Sequence, residues 1–374
     1  MKILVLGGYG TFGGRLVELL VTDTRLTLVI AGRSLKKANE FIQSLASGAQ
    51  KIALEFDRNG DVLAQLRACS PDLVIDATGP FQLYSSNPYV LVKACLVLAI
   101  NYLDLSDASD FVNGISQFDQ QAKAATIFML SGISSCPVLT AAVVRHLSKD
   151  LVKIKSITGG ITPSPHARVG LNVIKAITSY AGKPVKLRRH GRAEMGFGII
   201  DSCRYRINSH HVKPLPPIHF SLVDVPDLEA LPELWPEVEN VWMGAGPTPE
   251  ILHRMLNAFA WLVRWKLLPS LVPFAGLFHW VLNHVHWGEH RGGMFVQVEG
   301  INENAETVQR SWHLIAEGED GPYIPVMGLL AIIYRCLDGN IPAYGARAGT
   351  RDLEIHDYDP LFNVRNITTS IFNH

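Results

Sequence analysis

A run of apolar residues, "KILVLG" at 2–7, opens directly into "GGYGTFGGR", which holds Gly8-x-Gly10-x-x-Gly13. A buried strand has to end there, the chain has to turn tightly and a helix has to begin, because that geometry is what demands glycine at such spacing. Gly8 is expected to permit the turn, Gly10 to let backbone approach an anionic group, and Gly13 to let helix and strand pack closely. The helix start then aims oriented N–H groups at the anion, the arrangement that holds a dinucleotide pyrophosphate. Tyr9, Thr11 and Phe12 fill the intervening positions and complete the candidate loop.

The chain beyond this turn keeps a regular rhythm. "TFGGRLVELLVT" places Phe12, Leu16, Leu19 and Leu20 on one helical face, and "LTLVIAG" (26–32) reads as a second buried strand. Further strands are expected at "KIALEF", "DLVIDATG", "NYLDLS" and "TIFMLSG", with helical patterns between them. Strands alternating with helices predict an α/β Rossmann domain, a doubly wound parallel sheet. Past "GISSCPVLTAAVVRHL" the pattern turns to alternating, β-rich segments such as "GGMFVQVEGIN" and "TVQRSWHLIAEG". These predict a second α+β domain built on a mixed or antiparallel sheet. "KPLPPIHF" and "ALPELWPEVENVWMGAGPTPE" read as loops on their prolines. The expected division is 1–134 for nucleotide binding, completed by a return of 323–374, and 135–322 for substrate binding and dimerisation.

The end of the second strand selects the cofactor. An NAD site keeps a carboxylate there for the ribose hydroxyls, whereas this chain offers Gly32, Arg33 and Ser34. A guanidinium and a hydroxyl suit the 2′-phosphate of NADP(H). Ligands of such sheets sit outside the carboxyl ends of the strands. On that rule Asp57 is expected either to border the adenine pocket or to form the turn before "RNGD", and Thr78, Gly79, Pro80 and Phe81 are expected to bring backbone near the ribose and nicotinamide. Tyr102 and Asp104, ending the fifth strand, are candidates for proton transfer. In the second domain, Arg291 is a candidate clamp for a substrate carboxylate and His313 a candidate acid or base.

The segments "GGYGTFGGRL", "AGRS", "VIDATGPF", "NYLDLSD" and "SGISSCPVLTAAVV", in this order, resemble the saccharopine dehydrogenase-like NADP-binding family. The resemblance is clear over residues 1–145, and "HRGGMFVQVEG" and "RSWHLIAEGEDGPYIPVM" are similar to segments of its uncharacterised bacterial members. It implies a Rossmann domain, a mixed-sheet substrate domain and an NADPH-dependent oxidoreductase that moves hydride to or from a small polar substrate. The alternatives are a non-catalytic NADP-binding sensor or assembly protein, and an atypical short-chain dehydrogenase. The latter rests on Gly7-x-x-Gly10-x-x-Gly13 with Tyr89-x-x-x-Lys93, although that pair falls early for such chemistry.

Composition narrows the partners. Lys+Arg and Asp+Glu balance at 34 each, so no broad cationic footprint for nucleic acid is present. The five cysteines are scattered without C-x-x-C spacing, which points to a reducing, cytoplasmic setting. His210-His211 and the group His279, His284, His286 and His290 lack metal-ligand spacing, so no metal is expected. Residues 267–288 contain no Asp, Glu, Lys or Arg, but their prolines and histidines make a poor spanning helix. The expectation there is a buried segment or a homodimer interface, with peripheral membrane contact the less favoured reading.

Overall fold

Each apolar run of the first third is short, flanked by glycine or polar breaks, and becomes one strand of a single parallel sheet. The computed structural model describes residues 1–374 except 85, 86, 168, 285 and 286; His286 of the histidine group therefore lies outside the described residues. The chain runs β1 (Lys2–Leu6), α1 (Thr11–Leu20), β2 (Thr27–Gly32), α2 (Leu35–Ser44), β3 (Gln50–Glu55) and α3 (Val62–Cys69). It continues through β4 (Leu73–Asp76), α4 (Val90–Val97), β5 (Asn101–Asp104), α5 (Ser109–Gly114), α6 (Asp119–Ala124) and β6 (Phe128–Ser131). Strand pairing is parallel throughout, in the order strand Gly345–Ala348, β6, β5, β4, β1, β2, β3. Strand order reverses between β4 and β1, the switch point at whose carboxyl edge such sheets hold ligands. Ile3, Leu4, Val5 and Leu6 are all buried, as a central strand covered on both faces requires. Each contributes roughly 1.5–3 kcal/mol of burial. On α1 the buried face is Gly13, Leu16, Val17 and Leu20, while Phe12 and Leu19 are only half-buried.

The second unit is built on a mixed sheet. After α7 (Thr140–Leu147) come β7 (Leu151–Thr162), α8 (Leu171–Tyr180), β8 (Pro184–Arg189), β9 (Arg192–Phe197), β10 (Ser202–Tyr205) and β11 (Ile218–Leu222). Then come α9 (Asp227–Leu234), β12 (Asn240–Ala245), α10 (Glu250–Arg264), α11 (Ala275–His284), β13 (Arg291–Asn302) and β14 (Thr307–Glu317). The order is β10-β11-β12-β7-β13-β14-β16, where β16 is the strand Ile367–Asn373 that ends the chain, and β8 and β9 pair beside β12. Only β12 and β7 run parallel. The stretch read as loop from its prolines thus contains a helix and a strand. "NVWMGA" lies between the prolines and buries Val241 and Met243, so β12 completes its backbone hydrogen bonds inside the sheet.

The chain clusters into one unit of Met1–Val138 with Tyr323–Leu353, and another of Leu139–Pro322 with Glu354–His374. The C-terminal return therefore stops at Leu353. α12 (Ile324–Leu337) packs on α1, and β15, the strand Gly345–Ala348, extends the first sheet beside β6. After α13 (Ile355–Asn363), β16 pairs antiparallel with β14, which holds the last residues in the second unit.

Candidate nucleotide site and the comparisons

The turn between β1 and α1 is organised around one carbonyl. Gly7 carries the left-handed backbone, with φ of +75°, so Gly7 and not Gly8 makes the tight turn. A Cβ on Gly7 would lie 2.8 Å from the Ala77 carbonyl oxygen. The Gly7 carbonyl accepts from Gly10 N–H at 2.8 Å, and a Cβ on Gly13 would fall 2.3 Å from the same oxygen. Gly8 is pressed against β1 and β2, its would-be Cβ 2.8 Å from the Val5 oxygen. Gly10 is the N-cap of α1 and offers no side-chain cap, and Thr11 after it is exposed. The first-turn N–H groups of α1 are left to solvent or to an anion.

Tyr9 reaches across to the end of β2. Its Oη accepts from Ser34 N–H at 3.0 Å, and the phenol occupies the space where a side chain on Gly32 would stand, Oη 2.5 Å and the ring 2.7 Å from that Cβ position. Ser34 caps α2, accepting from Lys37 N–H at 3.3 Å, which leaves its hydroxyl proton to donate elsewhere. Arg33 is exposed and has no ion pair among the described residues. The end of β2 thus presents a guanidinium, a hydroxyl and a helix N-terminus.

Asp57 is a turn residue. It is exposed, accepts from Asn59 N–H at 2.9 Å, and is tied to Gln65 through its backbone. The inward-facing group is its neighbour. Arg58 donates to Asp76 Oδ2 at 2.5 Å and to the Pro88 carbonyl at 2.7 Å, and its guanidinium lies 3.4 Å from the Tyr84 ring centre. Asp76, fully buried, also accepts from the Thr78 N–H and hydroxyl at 3.0 and 2.6 Å. Thr78 Oγ1 and Tyr84 Oη are 2.7 Å apart, and burial pushes the Tyr84 phenol up. A hydrogen-bonded knot therefore closes the carboxyl end of β4. Sequence reasoning missed Arg58, Asp76 and Tyr84, although Asp76 stands within the quoted "VIDATG". Gly79 and Pro80, joined by a cis peptide bond, follow Thr78, while Phe81 turns into the core against Tyr84 and Phe111.

Tyr102 and Asp104 point into the protein. Tyr102 is fully buried in the apolar cluster with its cross-strand neighbours Val74 and Met129, and desolvation drives its phenol well above the ordinary value. Those are the surroundings of a core residue. Asp104 Oδ1 accepts from Ser106 N–H, Ser131 hydroxyl and Gly132 N–H at 2.9, 2.9 and 2.8 Å, tying the loops after β5 and β6 together. Desolvation raises its pKa to about 7, the three donors partly opposing the shift. The folded state therefore holds this proton more tightly than the unfolded chain. The corresponding stability is complete below about pH 3.9 and is lost as pH rises through about 7. Asp104→Asn should remove this dependence. The unfolding free energy of the variant, relative to the parent, should climb with pH across that window at a limiting slope of about 1.4 kcal/mol per pH unit in denaturant titrations. A difference that stays flat from pH 5 to 8 refutes it.

The remaining candidates are committed elsewhere. Arg291 ion-pairs with Glu289, its Nε donating at 2.8 Å, and also donates to the Lys213 carbonyl, so its fork is filled by protein acceptors. His313 is buried in β14. Its Nδ1 accepts from Asn208 N–H at 3.0 Å, which puts the proton on Nε2, donating to Tyr205 Oη at 2.9 Å. Burial pushes its pKa down to about 4, so it stands as a neutral sheet histidine. Tyr89 donates to the Asp110 and Phe111 carbonyls, and burial lifts its pKa to about 12, the opposite of what a short-chain dehydrogenase tyrosine needs.

No family model and no curated protein matches the chain. Among solved structures, it is similar to saccharopine dehydrogenase (L-Glu forming) from Saccharomyces cerevisiae, with a TM-score of 0.66, 15% identity, and coverage of 100% of this chain and 99% of that one. It also matches a meso-dapdh mutant with DAP from Clostridium tetani E88, at a TM-score of 0.43 and 16% identity over 96% of each chain. The WlbA dehydrogenase from Thermus thermophilus, in complex with NAD and alpha-ketoglutarate, matches at 0.41 and 10% over 92% of this chain and 90% of that one. The first of these shows a shared architecture over the whole length: the chain has the saccharopine dehydrogenase fold, a Rossmann-type parallel sheet with a second, mixed sheet.

Proposed function

We propose that the chain is an NADP(H)-dependent oxidoreductase acting on a small polar substrate, the first unit binding the dinucleotide and the second the substrate. The observation that carries this reading is the end of β2. Arg33 has no ion pair among the described residues, Ser34 stands at the N-cap of α2, and the segment Gly32-Arg33-Ser34 carries no carboxylate of its own to repel a 2′-phosphate. The uncapped start of α1 and the glycine turn around the Gly7 carbonyl suit a pyrophosphate. When bound, the cofactor supplies or accepts the hydride. Asp104 is then a positioning residue, fixing the loops after β5 and β6 at the carboxyl edge of the sheet.

Arg33→Ala should weaken NADPH binding about tenfold, roughly 1.4 kcal/mol, and leave NADH nearly unchanged. Fluorescence titration of both nucleotides reads this directly. Equal affinity for the two, or no loss in the variant, removes NADP(H) from the proposal. A second reading, a non-catalytic NADP-binding sensor or assembly protein, is favoured by one observation. Tyr102, Arg291 and His313 are all enclosed or saturated within their own units. NADPH binding with no turnover of any carbonyl or imine substrate would select it.

A further inference from the structure

Gly32 ends β2, the position at which a sheet built for NAD carries its ribose-binding carboxylate. Its backbone does not ask for glycine: Gly7, Gly48 and Gly79 have left-handed φ, and Gly32 does not. The demand comes from Tyr9 in the glycine turn. The three atoms nearest to a Cβ at position 32 are Tyr9 Oη at 2.5 Å and Tyr9 Cε1 and Cζ at 2.7 Å. All three belong to one side chain, so the exclusion is mutual. A side chain on residue 32 and the phenol of Tyr9 cannot both stand there.

The phenol is held in place with its proton to spare. Oη accepts from Ser34 N–H at 3.0 Å, and Ser34 Oγ in turn accepts from Lys37 N–H, which fixes Ser34 as the cap of α2. The Tyr9 hydroxyl donates to no acceptor among the described residues. A phenol that accepts one bond keeps its O–H to donate. At the end of β2 it therefore offers the reverse of what a carboxylate offers. A carboxylate accepts from ribose hydroxyls, whereas a phenol donates to an oxyanion. Arg33, exposed beside it, supplies the positive charge.

Resting on the reading of the chain as a dinucleotide oxidoreductase, we propose that Tyr9 sets the choice between NADP(H) and NAD(H). Its hydroxyl donates to the 2′-phosphate, and its ring keeps a carboxylate off position 32. The rival determinant is Glu55, the partner of Gly32 on β3, which is exposed and carries the carboxylate closest in register.

Fluorescence titration with NADPH and with NADH reads the selection, and thermal melts without nucleotide read the exclusion. Tyr9→Phe keeps the ring and removes the donor. The ratio of NADPH to NADH affinity should fall about tenfold in this variant, with NADH affinity unchanged. Gly32→Asp alone should lower the melting temperature, because the new carboxylate and the phenol compete for one space. In the Tyr9→Ala background the same substitution should lower it little, and that double variant should bind NADH at least as tightly as NADPH. An unchanged ratio in Tyr9→Phe overturns the proposal, as does an equal melting shift for Gly32→Asp in the two backgrounds. A ratio that rises in Glu55→Gln by more than it falls in Tyr9→Phe overturns it too, and would assign the choice to Glu55. A parent that binds neither nucleotide, or both alike, refutes the NADP(H) reading and this proposal with it. A preference for NADPH that is lost in Arg33→Ala and kept in Tyr9→Phe refutes this proposal alone.

Discussion

Gly13→Ala should lose dinucleotide binding and about 1–3 kcal/mol of stability, while the neighbouring Gly14→Ala keeps both. The added methyl at Gly13 falls 2.3 Å from the Gly7 oxygen and 2.8 Å from the Gly7 carbonyl carbon. Both are backbone atoms, so no side-chain rotation relieves the overlap. Gly7 cannot withdraw, because its own Cα stands against Ala77 and its N–H donates to the Ala31 carbonyl at 2.9 Å. Either α1 moves off β1 or the turn opens, and both displace the N–H groups that would face a pyrophosphate. At Gly14 the nearest atom to a new Cβ is Phe41 Cζ at 3.4 Å, an ordinary contact. Alanine there gains about 1 kcal/mol of helix propensity. Thermal melts and nucleotide titrations of the two variants should therefore diverge. If both behave alike, the close approach at Gly13 is not what selects glycine.

Removing the carboxylate beneath Arg58 should cost more stability. Asp76→Ala leaves a largely buried guanidinium without its counter-ion and strips the Thr78 N–H and hydroxyl of their acceptor. Breaking a buried pair from one side costs about 3–5 kcal/mol, because the uncompensated charge remains. Replacing both partners by apolar residues of similar size, Arg58→Met with Asp76→Leu, should recover much of that loss. Urea unfolding of the single and double variants measures the cycle. A loss below about 1 kcal/mol for Asp76→Ala would mean that Arg58 escapes to solvent and that the knot is not structural.

Several features of the candidate site could be read before any fold was known. Gly10 and Ser34 take their places from immediate neighbours, as the N-caps of α1 and α2. Where the reading failed, the missing information came from elsewhere in the chain. Gly8 was assigned the turn that Gly7 makes, since the choice depends on Ala77, a residue of the loop after β4. Arg58 escaped notice because nothing in "DRNGD" shows that the arginine finds Asp76 eighteen residues later. Arg291 and His313 looked available because Glu289 is an ordinary surface acid in sequence and Tyr205 and Asn208 are more than a hundred residues from the histidine. Prolines hid β12, whose burial depends on β7 beside it.

By itself the sequence determined the parallel sheet, the mixed second sheet, the glycine turn and the absence of a carboxylate at the end of β2. Each of these comes from steric demands and from periods of 2 and 3.6 residues, which act over a few neighbouring positions. The tertiary structure alone decided which polar groups are spent, that Tyr102 is core, that Asp104 holds a proton near neutrality, and that apolar side chains of α10 and α11, Trp261 and Trp280 among them, face outward. Those properties depend on solvent exclusion and on partners brought together by folding, and no local pattern encodes them.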